Sequence, residues 1–291
     1  MDWVNAVVQG VLLGGLYALL ATGLSLVFGV MRLVNLAQGD LTILAAFLAL
    51  VAVEATGISP LAGLAIVVPA MMAGGYILQR TLLDRAVARG PLPPILVTFG
   101  IAVILQNLLL SAFTADSRGL DAGRIEGDSF RLAGGLAVGV LPLLTLITAI
   151  VILVLLQLLI SRTQLGRALR ATSDDRQAAT IVGIDDRRIY AVAMALALGT
   201  VAVAGVLLGV RTTFGPLDGP VRLIFAFEAV VIGGLGSLWG TLVGGIVLGV
   251  AQALGNQVNP AYQILAGHLV FLAVLAFRPQ GLFARARARE A

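Results

Sequence analysis

The chain of 291 residues has no cysteine and no lysine, and its one histidine is His268. Each absence removes a class of chemistry. Without cysteine there is no disulfide framework, thiolate metal site or sulfur nucleophile. Without lysine there is no G-x-x-x-x-G-K-[ST] phosphate loop, so the chain cannot hydrolyse ATP by that route. No Gly-x-Ser-x-Gly elbow occurs, and no carboxylate cluster flanks His268 at metal-ligand spacing. Charge is scarce too, at 12% of residues against ~25% in soluble domains.

What is present is apolar. Hydrophobic residues make up 59% of the chain and the mean hydropathy is +1.02. The fold class is therefore an all-α polytopic membrane protein, read as one transmembrane domain over 1–291, because no stretch outside the apolar runs is long enough to bury a core. The N-terminus, MDWVNAVVQG, has no positive region or small-residue cleavage site, so the first apolar run is expected to stay as a span.

Runs of about 20 apolar residues place crossings near Val4 to Met31, Leu36 to Thr56, Pro60 to Leu83, Pro93 to Thr114 and Leu136 to Ile160. Four more lie near Ile189 to Val210, Val221 to Leu235, Leu238 to Ala253 and Ala261 to Phe277. The count is eight or nine, because Val221 to Leu235 is short, and the glycine cluster after it reads as a tight turn. All basic residues are arginine. They cluster at Arg80, Arg85 and Arg89, in the loop 161–188, and at Arg278, Arg285, Arg287 and Arg289, and are read as topology signals rather than a nucleic-acid surface. If these clusters are cytoplasmic, the short run must cross, and the N-terminus and the mixed-charge loop from Ala115 to Arg131 lie outside. Small residues at four-residue spacing, Gly10 and Gly14, Gly205 and Gly209, and Gly236, Gly240 and Gly244 beside Gly245 and Gly249, are read as helix-packing faces.

Several polar groups interrupt these runs. The stretch Phe28 to Leu41, FGVMRLVNLAQGDL, carries Asn35, Gln38, Gly39 and Asp40, and polar groups at membrane depth are tolerated only inside protein or beside a cavity. The expectation is that they border a substrate path. Arg32 is either a snorkelling end charge or a partner for Asp40. Glu228 is either functional, or pairs with Arg222 near the outer boundary or snorkels there. Gln106, Asn107 and His268 are expected to bond between helices. The polar segment 161–188 suits short amphipathic helices, lying on the membrane or docking a soluble protein through the stretch from Ala178 to Gly183.

Taken together, GLYALLATGLSLVFGVMRLVNLAQGD, TFGIAVILQN, LGRALRATSDDRQAATIVGI, VIGGLGSLWGTLVGG and FRPQGLF resemble the permease subunit of a branched-chain amino acid type ATP-binding-cassette importer, over essentially the whole chain. The resemblance implies alternating access driven by two cytoplasmic ATPase subunits that hydrolyse ATP, an external substrate-binding protein, a second permease subunit, related or identical, and a bacterial inner membrane. This chain would bind no cofactor or metal and catalyse no reaction. The family's Glu-Ala-Ala-x-x-x-Gly coupling motif is matched by Gln177, Ala178, Ala179 and Gly183, with glutamine in place of the acid. Gly166, Arg167 and Arg170 fall in the same coupling segment, and the resemblance favours docking for it. Asn35, Gln38, Gly39, Asp40 and Glu228 are the expected pathway residues, with Gln38 where histidine is common. The alternative is a gradient-driven transporter or channel with Asp40 and Glu228 as ion sites.

Overall fold

The computed structural model describes residues 2–90, 92–131 and 137–283. In chain order the elements are α1 (Asp2–Met31), α2 (Gln38–Thr56), α3 (Pro60–Leu78), a π turn (Gln79–Leu83) running into α4 (Asp84–Val87), and α5 (Leu92–Phe113). The outer loop holds α6 (Arg124–Gly127) and a hairpin of β1 (Ser129–Arg131) and β2 (Ala137–Gly139). Then follow α7 (Val140–Arg162), α8 (Gln164–Asp174), α9 (Arg176–Ile181), α10 (Asp186–Arg211), α11 (Gly219–Gly233), α12 (Leu238–Val258) and α13 (Gln263–Phe277), with a 3₁₀ turn at Pro260–Tyr262 before the last. Of these helices, 8 are long and apolar enough to cross a membrane, counting Pro60–Val87 as one.

The boundaries differ from expectation in instructive places. The fifth span begins at Val140 rather than near residue 136, because the preceding residues pair as the hairpin; Leu136 itself lies outside the described residues. Arg285, Arg287 and Arg289 lie outside them as well. The doubtful run is α11, whose 15 residues reach about 22 Å, short of a ~30 Å hydrocarbon core.

The chain completes this crossing with non-helical residues. Residues 212–218 leave the end of α10, where Phe214 pairs with Arg118 of the outer loop, and descend to Gly219, the start of α11. Gly219 lies against Gly39 and Asp40 at the start of α2, inside the bundle. The end of α11 lies at the arginine-bearing end: Ile232 and Gly233 accept backbone hydrogen bonds from Leu282 and Phe283, and Gly29 near the end of α1 meets Gly236. Residues 32–37 perform the reverse operation, climbing from the end of α1 back to Gln38, which lies beside Gly23 and Thr200 partway along α1 and α10. Gly23 is eight residues before the last residue of α1, about 12 Å along its axis.

The two breaks belong to an inverted arrangement. α1 and α10 are antiparallel and buried over most of their length. α1 packs on α12 and α11, while α10 packs on α3 and α2; α5 lies against α2 as α13 lies against α11. α3, α5, α7 and α13 turn Ile66, Leu96, Phe99, Leu155 and Leu269 outward, as lipid-facing helices do.

Small residues let the inner helices meet. A Cβ on Gly14 would lie 2.5 Å from the Ile246 Cα, and one on Gly10 would lie 2.5 Å from the Val250 Cα, so the expected glycine faces of α1 and α12 are in backbone contact. Gly14→Leu should therefore destabilise the protein by about 1–3 kcal/mol or more, read as a lowered Tm in detergent. Gly74→Leu, where nothing lies within 4 Å, should leave Tm nearly unchanged.

Candidate functional site at the junction of two broken helices

The polar residues of the first break satisfy one another and their own backbone. Arg32 ends α1 in the left-handed region, with φ 52°. Asn35 is fully buried; its Oδ1 accepts from the Ala37 N–H at 3.1 Å, its backbone carbonyl accepts from the Gln38 N–H at 3.2 Å, and its Nδ2 donates to Gln38 Oε1 at 3.4 Å. Thr98 of α5 supplies Oγ1 as acceptor for the Leu36 N–H at 3.2 Å. Non-helical backbone can sit at this depth because such partners replace water. Gln38 is left with an unpartnered Nε2, buried beside Gly23, where an added Cβ would lie 2.6 Å from it.

Asp40 is buried, and its Oδ1 accepts from Gln106 Nε2 of α5 at 2.9 Å. Its partner is thus the amide 66 positions away, not Arg32. Gly39 touches the Gly219 carbonyl with no room for a side chain between α2 and α11. Asn35, Gln38, Gly39 and Asp40 are therefore brought together at one buried seam, closed by the contact of two helix N-termini. Asn107, the neighbour of Gln106, instead turns outward and donates to the Val103 carbonyl of its own helix at 2.8 Å, so it does not bridge helices as expected.

Glu228 is not part of that seam. It is buried on α11 and paired with His268 Nδ1 of α13, rather than with Arg222. Its second oxygen, Oε2, is buried and unpartnered. His268 bridges packed helices as expected. Beside this pair, Tyr17 donates to Gln252 Oε1 at 2.5 Å, and the Phe225 ring lies 5.2 Å from Tyr17 and 6.5 Å from His268. No local sequence signal marks Tyr17 and Gln252 as partners, since they stand 235 positions apart.

The loop 161–188 folds as two short helices. The Thr163 hydroxyl caps α8 by accepting from the Gly166 N–H at 3.0 Å, and Gly166 packs on the Leu159 and Ile160 carbonyls. Gly166, Leu169 and Thr172 form the buried face, while Arg167 points to solvent and Arg170 is half-buried. Ser173 donates to the Gly29 carbonyl at 2.6 Å, tying α8 to the end of α1. Asp175 caps α9 through the Gln177 and Ala178 N–H groups, at 2.8 and 3.0 Å. Gln177 and Ala178 are exposed, Ala179 is buried, and Gly183 takes φ 89° to end the turn. The apolar knob is therefore carried by Ile181 and Val182, which are 84% and 75% exposed.

A multi-pass helical membrane protein with paired re-entrant breaks is the class this fold defines. The model of the family described as branched-chain amino acid transport system / permease component matches residues 6–276, and the chain belongs to that family. It is similar to the high-affinity branched-chain amino acid transport system permease protein BraD of Pseudomonas aeruginosa, 29% identical over 97% of this chain and 96% of BraD. The corresponding LivH protein of Escherichia coli is 27% identical over 95% of this chain and 94% of its own length. The LivM permease protein of the same bacterium is 32% identical over 43% of this chain and 30% of its own.

Removing the Asp40 partner should cost more than removing the Asp40 charge. Gln106→Leu strands a buried carboxylate and should lower stability by about 1–3 kcal/mol. Asp40→Asn keeps an acceptor oxygen and should cost less, with both compared by thermal melting in one detergent.

Proposed function

We propose that this chain is the membrane subunit of an ATP-binding-cassette importer that carries branched-chain amino acids across a bacterial inner membrane by alternating access. The substrate class rests on the likeness to BraD and LivH, permeases of branched-chain amino acid transport systems. The observation that carries the mechanism is the Gly39–Gly219 contact, where two half-helices start from opposite sides of the bundle and meet inside it. Helix N-termini carry partial positive charge from unpaired N–H groups, so parting them opens a polar gap suited to a carboxylate. The free Gln38 Nε2 adds a donor at the same place. An apolar side chain would find Leu41 and Leu33, which lie along the same break.

Energy has to come from outside the chain, because the nucleotide-binding lysine loop is missing. Two cytoplasmic ATPases supply it in this reading, one docked on the α9 knob and the other on the second permease, and an external binding protein delivers the solute. Tied by Ser173 to Gly29, the α8–α9 segment moves with the arginine-bearing end of α1, which leads directly into the 32–37 break. That is a mechanical route from a docking surface to the seam. A related second permease completes the membrane part, consistent with both LivH and LivM of one bacterium resembling this chain. The chain acts as a non-catalytic subunit.

Proteoliposomes holding the two permeases, the ATPases and the binding protein test the reading. Leucine uptake should require ATP and survive a protonophore; uptake driven by a proton gradient without ATP would sink it and favour Asp40 and Glu228 as ion sites. Ile181→Asp with Val182→Asp should reduce ATPase association by roughly a hundredfold or more, as expected for losing two apolar anchors buried in the complex. The assembly should otherwise melt normally, since both residues are exposed.

A further inference from the structure

The α3–α4 segment carries a feature that the transport reading does not use. Arg80, Arg85 and Arg89 stand at spacings of five and four. In an unbroken α-helix a residue five positions on lies about 140° around the axis, on nearly the opposite side. Here the Asp84 N–H bonds to the Gln79 carbonyl across a π turn, Gln79–Leu83, which absorbs one extra residue and carries Arg85 round to the side of Arg80. Arg89 then follows one ordinary helical turn later. With Arg187 from the first turn of α10, these arginines border a depression of about 410 Å³, also lined by Asp84 and Ala88.

Its charge is available to a ligand. The four arginines are exposed and none makes a salt bridge among the described residues. Arg85 Nη1 donates to the Thr81 carbonyl at 3.3 Å, leaving its other donors unused, and Asp84 Oδ1 is held by Gln79 Nε2 at 2.9 Å. Four guanidinium groups against one tethered carboxylate form an anion site. Arginine forks match phosphate oxygens better than any other side chain. Immediately before this site on the same helix, Tyr76 and Ile77 are exposed, 37% and 59%, as groups facing acyl chains would be. A free anion has no use for that apolar approach.

We propose that the depression bounded by Arg80, Arg85, Arg89 and Arg187 binds the phosphate headgroup of an anionic phospholipid, whose acyl chains lie along α3 past Ile77. The π turn is the device that assembles the site, and the lipid holds the start of α10 to the end of α3 at the arginine-bearing face. Basic pockets between spanning helices take anionic headgroups elsewhere by the same physics.

Native mass spectrometry of the full chain in detergent, titrated with phosphatidylglycerol or phosphatidylcholine, tests the proposal. Phosphatidylglycerol should be retained in preference to phosphatidylcholine, and Arg80→Gln with Arg85→Gln and Arg89→Gln should weaken its retention roughly tenfold or more. Arg162→Gln with Arg188→Gln and Arg278→Gln, which remove equal charge elsewhere on that face, should change it less than about twofold. Equal weakening by both triple variants would mean diffuse attraction and would overturn the site. Inorganic phosphate displacing the lipid at equal concentration would make it a free-anion site and overturn the lipid assignment. Unchanged retention, with lost ATPase binding, would assign the face to a protein partner instead. Melting in lipid-free detergent checks the fold of each variant, and if the first triple variant did not melt cooperatively, Arg89→Gln alone would carry the comparison.

Discussion

Backbone polar groups in hydrocarbon must find partners inside the protein, and that constraint organises the structure around the Gly39–Gly219 contact. Two chain breaks enter the bundle from opposite ends, and each starts a new helix where it meets the other. Such an arrangement exposes helix N-termini far from water. It survives because Asn35 and Thr98 bond the backbone of the first break, while Arg118 pairs with Phe214 and Asp218 accepts from the Gly215 N–H on the second. Absence of a Cβ at both glycines then lets the backbones touch.

A seam of this kind is closed by packing, and parting it would move whole helices. Cores resist continuous deformation, so motion of α2 against α11 is expected to be a switch between two packings. In the proposed mechanism the α8–α9 segment would bias such a switch; it is fastened to α1 by Ser173 and presents Ile181 and Val182 outward. The Glu228–His268 pair lies on the other side of α11 and braces it against α13. On this account, α11 is held by α13 and α12 and meets α2 at the seam, whereas α2 is held by α5 through the Asp40–Gln106 bond.

Much of this was legible from residue order. Apolar runs located the spans, the glycine spacings marked helix-packing faces without saying which helices they join, and the break from Phe28 to Leu41 stood out because polar groups in lipid need a reason. Arginine placement required the short run at Val221 to cross, and residues 212–218 show how a helix of only 15 residues does so. Pairings across the chain were not legible: Asp40 finds Gln106, Glu228 finds His268, and Tyr17 finds Gln252 through tertiary packing alone. Nor was the division of the coupling segment into a buried Ala179 and exposed Ile181 and Val182, because a helix of six residues is too short for its periodicity to declare a face.

The absence of cysteine makes the central claim directly measurable, since a single introduced thiol has no background within this chain. Gln38→Cys in the reconstituted importer should be sealed from membrane-impermeant maleimide while α2 and α11 touch. It should become reactive from one side of the membrane when ATP and the loaded binding protein are supplied, with leucine slowing the reaction. A thiol at this position that stays unreactive through active transport would contradict passage through the seam.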